Sequence, residues 1–194
     1  MTTDRELMER VAQGDEPAFA ELADRYSGRL LTLAWRLLGD RADAEDAVQR
    51  ALLKVYTSAR TYRPEWAVST WLYRLATNVC VDEIRRRRSR SSLQKAVHRE
   101  GADGRGQLFS GAAVAGPAQR LDVRRALETV PLEARILLAL RYVDGLSYQE
   151  LARVRGISVN TVKSQLTRGK SILKMALSEG RRRPRPAARI AKGA

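Results

Sequence analysis

Apolar side chains recur at three- and four-residue steps through most of the chain, and no strand-length stretch alternates apolar with polar. The pattern predicts helices. A short one fits Asp4–Gln13, closed by Gly14. Asp15 is placed to cap a long second helix that tolerates Pro17 in its first turn. Its stripe is Phe19, Leu22, Tyr26, Leu30, Leu33 and Leu37, and Gly39 sits where a left-handed end is wanted. A third helix starts near Asp43, read as its cap. One face holds Ala44, Ala47, Val48, Ala51, Leu52, Val55 and Tyr56; the other holds Asp43, Glu45, Asp46, Gln49, Arg50 and Lys54. A loop at Arg60–Val68, rich in aromatic and charged residues, leads to a fourth helix from Ser69 to Arg88, with Trp71, Leu72, Leu75, Ala76, Val79 and Cys80 inward.

The periodicity then lapses. Residues Ser89–Gln119 are dominated by Ser, Gly, Ala and Arg and read as flexible linker. Order resumes with a helix at Leu121–Thr129 and another opened by Pro131 and running through Tyr142, with Gly145 after it. Ser147-Tyr-Gln-Glu150 has the spacing of a capping box, in which Ser accepts from the backbone and Glu reaches back. It opens a helix of about two turns, Tyr148–Arg155. Gly156 permits a tight turn, and Ser158 caps a last helix to about Leu177. The tail from Gly180 is proline- and arginine-rich and is expected to be disordered. The expected architecture is all-α: a four-helix domain at 1–90, a linker at 91–119, a helix-turn-helix domain at 120–179 and a basic tail at 180–194.

Charge sharpens this picture. The chain carries +14 at neutral pH, and the excess lies in one part of it. Residues 1–60 hold 11 acidic and 9 basic side chains, a net of −2, whereas 61–194 hold 11 and 27, a net of +16. Such a field favours a polyanion, and the near-neutral first third implies a second, different partner. One cysteine (Cys80) and one histidine (His98) can make neither a disulfide nor a metal site alone, so no metal and no cofactor are expected. The first ten residues are charged, without the apolar core of a signal peptide, and no run is long enough to span a membrane, so a cytoplasmic protein is expected. No nucleophile–base–orienter set and no Gly-rich phosphate loop is present, so no enzyme is expected.

Two regions suit nucleic acid. At Val159, Val162, Leu166, Leu173 and Leu177 the last helix turns inward. Its other side offers Ser158, Asn160, Thr161, Lys163, Ser164, Gln165, Thr167 and Arg168, donors, acceptors and cations suited to base edges and phosphates. A capped hairpin with a solvated face would share the spacing but has no need of the basic field. In the second region Tyr62, Arg63, Trp66, Trp71 and Tyr73 set aromatics among cations, the combination that holds unstacked bases. By helical spacing Trp71 belongs to the core, which leaves Tyr62 and Trp66 as base contacts. Arg85–Arg88 equally suit a helix C-terminus that favours cations, and Cys80 reads as a small core residue.

The stretches Asp43–Tyr56 (DAEDAVQRALLKVY) and Ser69–Arg88 (STWLYRLATNVCVDEIRRRR) resemble the sigma-two domain of extracytoplasmic-function (ECF) sigma factors. Val130–Glu133 (VPLE) and Ala139–Leu173 resemble their sigma-four domain, in the same order and with a linker between. The resemblance implies a transcription initiation factor with no catalysis of its own. Asp43, Asp46, Gln49, Arg50 and Lys54 would dock on the β′ clamp coiled coil of core RNA polymerase. Tyr62, Arg63, Trp66, Ser69, Arg74, Asn78, Arg85 and Arg86 would recognise and melt the −10 promoter element, with one base flipped out beside the loop. Ser158, Asn160, Thr161, Lys163, Ser164 and Arg168 would read the −35 element. The β flap and an anti-sigma factor are implied partners. The chain departs from the family at Arg50, where an acidic residue is usual, at Ala67-Val68-Ser69, where "FR" often stands, and at Gly169 within the recognition helix. A stand-alone helix-turn-helix repressor would leave Asp43–Tyr56 and the aromatic loop without purpose.

Overall fold

The computed structural model describes residues 2–97 and 126–182, with side chains for 2–90 and 126–178. Every regular element among them is a helix. The first, α1 (Asp4–Ala12), is closed at its start by a capping box in which Glu6 N–H donates to Thr3 Oγ1 at 3.2 Å and Thr3 N–H to the Glu6 carboxylate at 2.7 Å. Asp15 caps α2 (Glu16–Leu38), which ends at Gly39 with φ +74°, the left-handed conformation that Cβ-bearing residues avoid. The whole expected stripe is inward: Leu22, Leu30, Leu33 and Leu37 are at most 1% exposed. Each such side chain contributes roughly 1.5–3 kcal/mol by leaving water.

The third helix, α3 (Arg41–Thr57), is capped by Asp40, whose carboxylate accepts from Asp43 N–H at 3.0 Å. This corrects the assignment of the cap to Asp43. Gly39 reverses the chain so abruptly that the next residue is already the cap, and Asp43 falls in the first turn, where its charge still suits the helix dipole. A 3-10 turn at Ala59–Thr61 precedes α4 (Val68–Val97). That helix runs nine residues past Arg88, the expected end, because the first helix breaker downstream is Gly101. Trp71 and Leu72 are buried as read, and Cys80 is 0% exposed. Burial pushes the Cys80 thiol up to about 12, which keeps it protonated and unreactive.

The second half contains a helical stretch at 126–129, then α5 (Leu132–Tyr142), α6 (Tyr148–Arg155) and α7 (Val159–Arg182). The capping box at Ser147 and Glu150 is formed, at 3.2 Å and 2.7 Å, and Gly156 takes φ +66° at the turn between α6 and α7. Arg135, buried in α5, donates to the carbonyls of Glu128 and Val130, both at 3.1 Å, and ties the preceding segment down. His98, the linker beyond Val97, residues 121–125 of the expected helix and most of the expected tail lie outside the described residues.

The halves are in contact. The α6 helix lies on α4 and α5 on α2, and one continuous set of buried side chains runs through both. Tyr73 of α4 donates its hydroxyl to Asp144 Oδ1 at 2.9 Å, and Arg155 Nη1 donates to Asn78 Oδ1 at 3.4 Å.

Candidate nucleic-acid interface

Three surfaces carry the residues singled out by sequence. The first is the outer face of α3, where Asp46, Gln49 and Lys54 are exposed. Between them stands Leu53, 62% exposed, an apolar side chain that the charge-based reading passed over. Isolated exposed leucines are ordinary, but this one is centred on a polar face that no other described element covers. Asp43 and Arg50 are different. Asp43 pairs with Arg87 of α4, and Arg50 Nη2 lies 2.9 Å from Asp46 and 3.1 Å from Glu83 of α4. Both are half-buried braces between α3 and α4 at the edge of the face. Glu83, 12% exposed, is the hub, since Arg87 Nε also approaches it at 3.4 Å and Arg86 at 3.7 Å. Burial pushes the Glu83 carboxyl up, but hydrogen bonds from Arg50 and Arg87 outweigh it and hold it below its ordinary value.

The second surface is the loop before α4 and the outer side of that helix. Arg63 is exposed, but Tyr62 and Trp66 are half-buried. The Tyr62 ring meets Trp71 edge-on with centroids 5.6 Å apart, and its hydroxyl donates to the Trp66 carbonyl at 2.6 Å. The Arg74 guanidinium lies over Trp66 at 5.0 Å. The loop is thus pre-shaped by its own aromatics. It walls an open pocket of about 330 Å³ lined by Tyr62, Trp66 and Ser69 and, from α1 and α2, by Asp4, Arg5 and Tyr26. The helix α1 contribution was not foreseen, because a residue 59 positions away in sequence joins the loop only through tertiary packing: Arg5 donates to the Pro64 carbonyl. Asp4 accepts from Tyr26 and from Arg25, the latter at 2.7 Å, which pins α1 to α2. Arg85 and Arg86 are exposed further along α4; Asn78, also exposed, is bonded to Arg155.

The third surface is α7. Ser158, Asn160, Thr161, Lys163, Ser164 and Arg168 are all exposed, while Val162 and Leu166 are buried against the rest of the half. Ser158 is the cap, accepting from Thr161 N–H at 3.0 Å, so its oxygen is already engaged by the helix. On one flank, Lys170 lies over Tyr142 and Arg141 over Tyr148, each at 5.0 Å. The hydrogen bond to Tyr142 holds the Lys170 ammonium above its ordinary value, so it stays charged. Sequence spacing could have found Lys170, seven residues after Lys163 on the same side of the helix; its aromatic platform could not be seen. Gly169 lies buried where α7 crosses α5, and a Cβ there would stand 3.0 Å from Ala134 Cβ and 3.2 Å from Leu138 Cδ1.

The sigma-70 region 2 family matches residues 22–90, and the sigma-70 region 4 family matches residues 120–173. The chain is 30% identical to the ECF RNA polymerase sigma factor SigW of Bacillus subtilis, over 90% of this chain and 97% of SigW. It is 33% identical to the ECF RNA polymerase sigma-E factor of Escherichia coli K12, over 88% of this chain and 92% of that factor. Among solved structures the fold is similar to CnrH in complex with the cytosolic domain of CnrY, with TM-score 0.68, 24% identity, and 91% and 97% of the two chains covered. It is also similar to the sigma factor RpoE of Bartonella quintana in complex with the anti-sigma factor NepR, with TM-score 0.65, 21% identity, and 82% and 96% covered. With both sigma-70 regions matched in order and relatives at 30% and 33% identity covered over more than nine tenths of their length, the chain belongs to the ECF RNA polymerase sigma factors.

Proposed function

We propose that this sigma factor divides promoter initiation among the three surfaces in the cytoplasm of a bacterium, and leaves catalysis to the polymerase. The face of α3 docks on core RNA polymerase through Asp46, Gln49 and Lys54, with Leu53 as apolar anchor and Asp43 and Arg50 setting its tilt against α4. The loop and α4 take the −10 element through Tyr62, Arg63, Trp66, Ser69, Arg74, Asn78, Arg85 and Arg86. The pocket beside Ser69 receives a flipped base, for which its volume is ample. Helix α7 reads the −35 element through Asn160, Thr161, Lys163, Ser164 and Arg168, with Ser158 capping the helix, and Lys170 adds a phosphate contact. RpoE was solved with the anti-sigma factor NepR and CnrH with the cytosolic domain of CnrY, and an anti-sigma factor is proposed to control this chain too.

The observation that carries the reading is the pairing, on one chain, of an uncovered polar face on α3 with a capped helix-turn-helix whose second helix turns its cations and amides outward. Reconstitution with core polymerase tests it: the chain should support open complexes and specific transcripts from a cognate promoter. In the same assay Asp46→Arg should weaken core binding about tenfold, as expected for a charge reversed within an interface, without changing the thermal melt. Specific duplex binding by the chain alone, with no initiation under any condition, would return it to the repressor class. Separately, Arg168→Ala should weaken binding to a −35 duplex about tenfold and reduce the slope of affinity against salt. An unchanged slope would remove Arg168 from the DNA-contacting set.

A further inference from the structure

The pocket beside Ser69 draws its walls from two parts of the chain. Tyr62, Trp66 and Ser69 fall within residues 22–90, which the sigma-70 region 2 family matches, whereas Asp4 and Arg5 open α1 and lie before that stretch. Both α1 side chains are held in place. Asp4 is half-buried and accepts from the Tyr26 hydroxyl and from Arg25 Nη1, the latter at 2.7 Å. Arg5 donates to the Pro64 carbonyl. Its guanidinium also stands at the Tyr62 hydroxyl, which burial pushes above its ordinary value against the opposing Arg5 charge.

These commitments fix what the wall can offer a guest. The Tyr26 proton goes to Asp4 and the Tyr62 proton to the Trp66 carbonyl at 2.6 Å, so both hydroxyls face a guest as acceptors. The Asp4 carboxylate accepts. Arg5 donates, through N–H groups beyond the one taken by Pro64. An acceptor and a donor on neighbouring residues of one helix thus share the wall. Glu65 lines the pocket too, but it is exposed on the loop, where water competes for its carboxylate.

The Watson–Crick edges of the four bases divide against such a pair. Adenine and cytosine present an exocyclic amino donor beside a ring-nitrogen acceptor; guanine and thymine present a keto oxygen beside a ring N–H. We infer that Asp4 and Arg5 restrict the flipped base of the −10 element to an amino base, adenine or cytosine, whose amine donates to Asp4 and whose ring nitrogen accepts from Arg5. A keto base reverses both contacts, setting oxygen against carboxylate and N–H against guanidinium. Polar groups left unpaired in this way are costly, which is how a polar pocket rejects a near-isostere. The volume of about 330 Å³ admits purine and pyrimidine alike, so this pair does not separate adenine from cytosine. The inference rests on the reading of the loop and α4 as the −10 site.

The experiment combines the full chain with core polymerase and promoters carrying each of the four bases at each −10 position in turn, and measures open complexes. Wild type should show a position at which adenine and cytosine exceed guanine and thymine by about tenfold, a usual cost of one wrong base. Asp4→Asn, which sets an amide donor on the wall, and Arg5→Ala should each bring that ratio to about twofold or less. Arg5→Lys, which keeps a cationic donor, should preserve most of it. A purely structural role for α1 would lower all four bases together and leave the ratio unchanged, which overturns the inference. A ratio that survives both α1 variants and falls only in Glu65→Gln overturns it as well. Without polymerase, short single strands with one amino or one keto base are titrated onto the wild-type chain, and the Trp66 indole N–H signal is followed by NMR. Amino strands should bind about tenfold more tightly; equal binding overturns the inference even where a variant fails to fold. If no promoter opens at all, the functional reading fails, and the titration still decides which bases the pocket prefers.

Discussion

Replacing Gly169 with leucine is expected to lower the melting midpoint of the helix-turn-helix half by roughly 10 °C and to abolish −35 duplex binding at 37 °C. Helix propensity alone would predict the opposite, since glycine inside a helix costs about 1 kcal/mol against other residues. Packing decides the sign. The Cβ of any side chain at 169 lies 3.0 Å from Ala134 Cβ, which is bonded to the α5 backbone and cannot rotate away, and 3.2 Å from Leu138 Cδ1, which can. Alanine is relieved by a small shift and regains its propensity, so Gly169→Ala should be close to neutral. Leucine must push α7 off α5, an over-packing cost of about 2–3 kcal/mol, and each kcal/mol shifts a domain of this size by about 4–8 °C. Paired melts of the two variants check this. If leucine melts with alanine, α7 does not cross α5 as closely as described.

Glu83→Gln is expected to destabilise the first half by about 2 kcal/mol. Shape is kept, so the loss reports charge. Glu83 is the shared partner of Arg50, Arg86 and Arg87, and its neutralisation leaves the half-buried Arg50 and Arg87 without their common countercharge and sets an NH2 donor where one oxygen accepted. Removing one partner of a fully buried pair costs about 3–5 kcal/mol; the arginines retain 21–29% exposure, and solvent discounts the figure. The pH dependence gives the sign independently. The folded carboxyl lies below its ordinary value of 4.5. Its stabilisation is therefore complete above about pH 4.5 and is lost as pH falls through the lower folded value. Denaturant melts should show a gap between wild type and Glu83→Gln that is constant from pH 5 to 7 and narrows below 4.5. A gap independent of pH would mean that the pairs contribute nothing through charge. Because the hub ties α3 to α4, the variant should also weaken core polymerase binding, although Glu83 lies off the proposed docking face.

Much of the molecule was legible from local chemistry. Period-3.6 stripes, acidic and seryl caps, two left-handed glycines and a capping box are short-range signals, each set within a few residues, and they located α1, α2, α6 and the start of α7 closely. The α3 cap was misplaced by three residues because two aspartates compete and only the sharpness of the turn at Gly39 selects Asp40. The outward side chains of α7 followed from periodicity, since a helix that buries Val162 and Leu166 must expose Asn160, Ser164 and Arg168.

By itself, then, the sequence determined an all-α chain, the order of its helices and their inward faces, a helix-turn-helix whose last helix turns polar and cationic side chains outward, and its resemblance to the ECF family. The tertiary structure alone decided the rest. It engaged Asp43 and Arg50 in ion pairs with α4, brought Arg5 beside Pro64 to wall the pocket, left room for only a small residue at 169, and joined Tyr73 to Asp144 across the two halves. The physical reason is range. Caps and stripes depend on neighbours within about four residues, whereas an arginine's choice of carboxylate, or the space allowed to one Cβ, depends on helices that meet only after the chain has folded.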